Sequence, residues 1–286
     1  LLVSAIFAFG LSEEAMANEP AAGRDKKLSE WAAERVKAVD ERISALKARE
    51  ARAIDALEKS KEVIGEITSL DDKGTALLAI GAVEIGLRAL DNIKARIKDE
   101  EFLKEEIELG AREGRHMGFA DSVGLGVFKR SGDGWMRYDR TMLISDGDEI
   151  KTATAGHISI LFSDGTAVDL DEKTVFRVNK ASSFDLVEGR AHVSIEPGHG
   201  SAAFNAAGMS FTASPSARDA AEFDVDARRD SGVTLSVADG TVSALADPDR
   251  EDKPVTIRAG ERASFRPDGT MVDQTPVAPD TVLPWW

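Results

Sequence analysis

Apolar residues along this chain change period once. From residue 26 to about residue 109 they recur every three or four positions, and beyond about residue 118 they recur every second one. A period near 3.5 lines side chains along one stripe of a helix, and a period of two puts them on one face of a strand. The sequence therefore predicts helices followed by strands, in separate domains. A length of 286 residues leaves room for one large domain or two modest ones.

The heptads carry the first half. With Val36 at position a, the a positions are Ser29, Val36, Ile43, Glu50, Leu57 and Ile64, and the d positions are Ala32, Val39, Leu46, Ala53, Ser60 and Ile67. Nine of the twelve are apolar, which predicts one long helix over about 26–68 with a coiled-coil seam. A polar break, Ser69-Leu70-Asp71-Asp72-Lys73-Gly74, precedes a second helix expected over about 75–109. Its stripe is Leu77, Ile80, Val83, Leu87, Leu90, Ile93 and Ile97, with Gly110 and Gly114 as stops. So short a connection makes 26–115 an antiparallel hairpin, about 50–60 Å long at the helical rise. Gly81 and Gly86 lower helix propensity, and are expected where the helices approach closely. Two helices rarely bury both of their stripes, so the hairpin should pack on the next domain, a second copy or a partner.

In residues 118–275 short alternating runs are separated by turn dipeptides. Ile158–Phe162 and Thr166–Leu170 flank Asp164-Gly165 as strands flank a hairpin turn. Similar runs fall at Val175–Val178, Phe184–Val187, Ala191–Ile195, Met209–Thr212, Glu222–Val225, Val233–Val237, Thr241–Ala244, Val255–Ile257 and Ala263–Phe265. Asp-Gly-Thr occurs three times, at 164–166, 239–241 and 268–270. Asp and Gly tolerate the positive φ that tight turns demand. A calcium loop would need acids at alternate positions closed by a bidentate Glu, and Asp146-x-Asp148 with Glu149 is only a fragment of one. The acids are thus expected to mark turns and to hold no metal.

Several of these turns and strands share an order with a known family. Leu143-x3-Gly147-Asp148-x-Ile150-x-Thr152, then Gly156, then Leu161-Phe162-x-Asp164-Gly165-Thr166-x-Val168-x-Leu170 closely resembles the FecR domain. The likeness continues through Leu186-Val187-Glu188-Gly189-Arg190-Ala191, Phe223-Asp224-Val225, Val237-x-Asp239-Gly240-x-Val242 and Ala259-Gly260-Glu261, and covers roughly residues 123–270. The resemblance implies an all-β module on the envelope side of the membrane that relays a signal through protein contacts. It makes Gly147, Asp148, Asp164, Gly165, Thr166, Gly189, Asp239, Gly240 and Gly260 structural turn positions. Signalling members carry a cytoplasmic anti-sigma segment and a transmembrane helix before this module. Here a hairpin and a signal-like start stand instead, and Ala217-Arg218-Asp219-Ala220-Ala221 replaces a V-R-G-T-like turn.

Charge and residue usage exclude several other functions. A net charge of −15 is wrong for a phosphate backbone, so no nucleic-acid partner is expected. The absence of cysteine removes thiolate nucleophiles and thiolate metal sites. His116, His157, His192 and His199 lack zinc-ligand spacing and are each expected at the surface. No nucleophile elbow, phosphate loop or cofactor-binding pattern stands in the chain. Carboxylate pairs suited to glycoside hydrolysis are not singled out by sequence, which leaves a hydrolase as the least favoured class.

The ends bear on location. Leu1–Leu11 is an apolar run of signal-peptide length, followed by the A-x-A pattern Ala15-Met16-Ala17, so residues 1–17 are expected to be a signal remnant and 18–25 a linker. No transmembrane segment is expected after its removal. The tail, 276–286, ends in Trp285 and Trp286, candidates for contact with a protein partner or a glycan. Trp135 is expected in the core. The sequence thus points to a non-enzymatic, periplasmic or surface protein without cofactors, in α+β separate domains: a helical hairpin and an all-β domain of short, mostly antiparallel strands, solenoid-like or sandwiched. It would act as sensor, adaptor or scaffold through an envelope protein partner or self-association. The alternative is a structural protein that binds cell wall or polysaccharide.

Overall fold

The computed structural model describes residues 21–66, 73–139, 141–180, 183–197, 199–215, 220–228, 231–245 and 254–277. The signal-like segment, the interhelical break around Ser69–Asp72, most of the stretch at 216–219 and the Trp285-Trp286 tail lie outside them. Two units divide the chain, with residues Ser29–Glu113 forming one.

That unit is a pair of helices, α1 (Ala21–Glu66) and α2 (Lys73–Arg112). They run antiparallel: Asp40 meets Lys104 at 2.8 Å, Arg42 meets Glu100 at 2.8 Å, and Lys47 meets Glu101 at 3.1 Å. Farther along, the position of a Cβ added to Gly86 lies 2.7 Å from Leu57 Cδ2. On α1 the heptad positions Ala32, Val39, Ile43, Leu46 and Leu57 are buried. On α2 the buried line is Leu90, Ile97, Glu100, Leu103 and Ile107.

The α2 stripe differs from the one expected near its start. Leu77, Ile80 and Leu87 are exposed, because the seam passes through Gly86 and not its neighbour Leu87. Gly86 allows the close approach expected of it, whereas Gly81 faces open space. The helix also runs through Gly110, and stops where Gly114 adopts φ +65° and Glu113 N–H donates to the Leu109 carbonyl at 3.0 Å.

The other unit takes in Gly114–Trp286 as well as Leu1–Leu28, and among its described residues from Gly114 on it holds seventeen strands. One sheet runs in the order β4 (Ile144–Ser145), β1 (Met117–Val123), β6 (Ile158–Phe162), β7 (Thr166–Leu170), the second half of β9 (Ser183–Ile195), β12 (Ala221–Arg228), β13 (Gly232–Asp239), β16 (Glu261–Phe265) and β17 (Met271–Pro276). The second sheet is β3 (Gly134–Arg137), β2 (Val127–Ser131), β5 (Glu149–Thr152), β8 (Val175–Lys180), the first half of β9, β10 (Ala202–Ala206), β11 (Met209–Ser214), β14 (Thr241–Leu245) and β15 (Val255–Arg258). Every pairing is antiparallel except β9 with β10. The expected runs Phe184–Val187 and Ala191–Ile195 are one strand, bent at Gly189 (φ +104°) so that it serves both sheets. An added Cβ at Gly189 would run into Thr174, so the bend requires glycine.

The inner faces share one core. Phe162 of the first sheet meets Phe184 of the second at 5.0 Å between ring centroids, Phe204 meets Phe223 at 6.3 Å, and Phe211 meets Phe265 at 6.2 Å. These rings are at most 2% exposed, a degree of closure the hairpin reaches only in places. As the chain passes between sheets, its corners hydrogen-bond to one another. Fully buried Thr152 donates its hydroxyl to the Asp171 carbonyl and accepts the Thr174 N–H at 2.9 Å. Thr174 Oγ1 in turn accepts the Arg190 N–H at 3.1 Å. These side chains satisfy corner backbone groups that the ladders leave unpaired.

Candidate functional site

The motif residues sort into two structural roles. Gly165 (φ +80°) sits in the hairpin turn between β6 and β7, where Thr166 N–H donates to Asp164 Oδ1 at 3.0 Å. Asp268 and Thr270 repeat that geometry between β16 and β17 at 2.9 Å. The third Asp-Gly-Thr differs: Asp239 and Gly240 turn the chain from β13 in one sheet to β14 in the other, so this is a corner and not the hairpin turn expected. Gly147 and Gly260 occupy corners too, and Asp148 closes its turn by accepting the Ser145 N–H at 2.7 Å and pairing with Lys129 at 2.6 Å.

Two of the carboxylate turns also hold a histidine. His116 is buried and stacks on Phe162 at 5.0 Å. Its Nδ1 lies 2.9 Å from Asp146 Oδ1, and its Nε2 lies 3.2 Å from Asp164 Oδ2. His192 on β9 is 3% exposed, with Nδ1 2.9 Å from Asp224 Oδ1 and Nε2 3.1 Å from Glu222 Oε1, both on β12. Arg190 adds a 2.7 Å contact to Asp224.

Burial alone would pull both imidazoles down. The flanking carboxylates outweigh it, raising His116 and pushing His192 up to about 9, so His192 carries charge at neutral pH. His192 in return holds Glu222 below the usual carboxylate range. The surface placement expected for these two histidines is therefore wrong. Strand alternation puts His192 on its strand, but it says nothing of the acids that gather around either histidine. His157 is exposed, and half-buried His199 covers Gly165 while pairing with Glu196 at 3.1 Å.

Ion-paired histidines of this kind brace strands together. Among the described residues no three His, Asp or Glu side chains converge as metal ligands would. A cleft of about 300 Å³ opens beside β6 and β7, lined by His157, Ser159, Asp169, Asp171 and Glu172. Its Glu172 carboxylate already accepts the Ala155 N–H at 2.7 Å. No described helix is long and apolar enough to cross a membrane.

The outer features are edges and exposed side chains. The strands at the sheet ends include β3 and β17, and every residue of both is exposed. Trp135 is 39% exposed on β3, not in the core as expected: it follows a tight turn at the last strand of a sheet, where no further strand covers it. Lys151 lies over its ring at 5.7 Å. Such surfaces suit contact with another macromolecule better than chemistry on a small substrate.

Comparison with known proteins agrees with this picture. Residues 148–243 match the family model described as FecR protein. No curated protein and no solved structure matches the chain. The matched span runs from the β4–β5 corner into β14, and takes in both halves of bent β9 and the His192 cluster. The all-β unit of this chain thus carries a span, residues 148–243, that is similar to the FecR family.

Proposed function

We propose that the chain works in the bacterial envelope as a non-enzymatic protein that holds a protein partner. The FecR domain acts as sensor or adaptor, and the helical hairpin as an arm. The observation that carries this is the FecR match on a β unit whose described polar clusters are tied up in structural pairs while its edges stay open. The hairpin adds support, because Leu77, Ile80, Ile85 and Leu87 crowd one end of α2 at 46–71% exposure. A second helix pair, from a partner or another copy, would cover such a stripe. Export rests on the apolar Leu1–Leu11 stretch and the Ala15-Met16-Ala17 pattern.

Fractionation and photo-crosslinking in intact cells test this together. Crosslinkers placed on the hairpin and, separately, on the β unit should recover the same envelope proteins from the periplasmic or surface fraction. A chain retained in the cytosol, or held on purified cell wall without any protein adduct, would overturn the proposal.

A further inference from the structure

The outer face of the second sheet at its β3 end stands apart from the charge of the chain. Strand alternation and register place Arg130, Phe128, Trp135, Arg137, Lys151 and Arg177 together on it. Two carboxylates serve this group: Glu149 takes Arg177 at 2.9 Å and Arg130 at 3.5 Å, and Asp185 stands opposite Arg177 on β9. Arg137 and Lys151 have no carboxylate partner among the described residues. In a chain with fifteen excess negative charges, two cations left beside an exposed indole mark a local reversal of sign.

The same place has an unfilled backbone edge. Among the described residues β3 pairs with β2 alone. Tyr138 N–H donates to the Val127 carbonyl at 2.8 Å, and antiparallel bonding alternates, so Gly134 and Met136 face β2 while Trp135 and Arg137 turn their N–H and C=O groups outward. Edge cations usually guard against pairing with like strands. A second basic edge would be repelled here, but a strand bearing carboxylates at alternate positions would meet Arg137 and Lys151 as it bonded to Trp135 and Arg137.

We infer that β3 and the cations beside it form a docking edge for an extended acidic segment of a partner protein, added as a tenth strand to the second sheet. This rests on the protein-binding function proposed above and names the chemistry of the partner segment. β3 precedes the matched 148–243 span. Charge complementarity selects the segment, and main-chain hydrogen bonds hold it.

Fluorescence anisotropy with the full chain tests the inference. The probes are a short labelled peptide of alternating glutamate and valine, its lysine–valine counterpart, and the acidic peptide N-methylated at alternate residues. The acidic peptide should bind roughly ten-fold or more tightly than the other two, and R137E/K151E should weaken it by about ten-fold with circular dichroism unchanged. Equal binding of the N-methylated peptide would show attraction without strand addition and overturn the inference, as would no binding at all. An oligogalacturonate that outcompetes the peptide would assign the surface to an anionic glycan, and overturn it too. R137E/K151E that still forms every wild-type crosslink in cells would sink this edge alone. Absence of any crosslink from the wild-type chain would sink the protein-binding function itself.

Discussion

The hairpin and the β unit bury apolar surface in different ways. In the β unit two sheets close on one core, and its inner rings meet from opposite layers with almost no exposure. In the hairpin each helix has one neighbour, and the seam closes well around Val39, Leu103 and Ile107 but leaves the start of α2 open. Polar contacts follow the same division. In the hairpin the Lys47–Glu101 pair is half exposed, where such pairs contribute little, and Glu100 with Arg42 is the buried exception. The β unit encloses His116 and His192 between carboxylates, where removing one partner is costly. The β unit thus has a closed core, and the hairpin leaves part of its apolar surface in water.

The sharpest way to break that contrast is to open the core. Phe162→Ala removes a ring that contacts both Phe184 and His116, and should cost about 3–5 kcal/mol in chemical denaturation followed by near-UV dichroism. A cost below about 1 kcal/mol would mean the two layers are not the source of rigidity.

Next in size is the dependence on pH. His192 binds its proton more tightly folded than unfolded, so its contribution is complete below about pH 6.5 and drains away as pH rises toward 9. The difference amounts to roughly 3 kcal/mol at most, and His116 adds a loss of the same sign. Urea midpoints at pH 6, 7.5 and 9 should fall in that order, with a shallower fall in His192→Gln. An unchanged slope in the variant would remove His192 from the account.

These predictions separate what the residues spell out from what folding adds. The heptads on α1 mark its buried face correctly at Ala32, Val39, Ile43, Leu46 and Leu57, since a single helix obeys one period. On α2 the run Thr75–Leu90 is apolar nearly all round, so period alone could not tell that the seam follows Gly86 and leaves Leu87 in water. Alternation found Ile158–Phe162, Thr166–Leu170 and most later strands. It could not show that Phe184–Val187 and Ala191–Ile195 are one strand, because Gly189 reads as a turn until a second sheet is there to receive the bend. The first five strands escape it because mixed polar residues in Met117–Thr152 blur the alternation, and the proposed docking edge lies among them. Burial of His192 depends on Asp224 and Glu222, more than twenty residues away in sequence, and no local pattern announces that.

Smaller effects sharpen the hairpin side. Glu100→Ala strips a carboxylate that is 3% exposed from Arg42, and should destabilise the hairpin by about 1–3 kcal/mol, read from helical dichroism on heating. Gly81 and Gly86 make a matched pair at the lower end. Gly81→Ala meets nothing and should stabilise by about 0.5–1 kcal/mol, whereas the same change at Gly86 presses on Leu57 and should forfeit that gain. Equal gains at both would place the seam elsewhere.

Native-state hydrogen exchange on the purified full chain tests the central contrast most directly. The amides of β9, β12 and β13 should exchange only on global unfolding. Those of residues 77–87 should exchange far faster in dilute protein and slow when a binding partner or higher concentration covers them. Protection of 77–87 equal to that of β12, in dilute protein without a partner, would contradict the account.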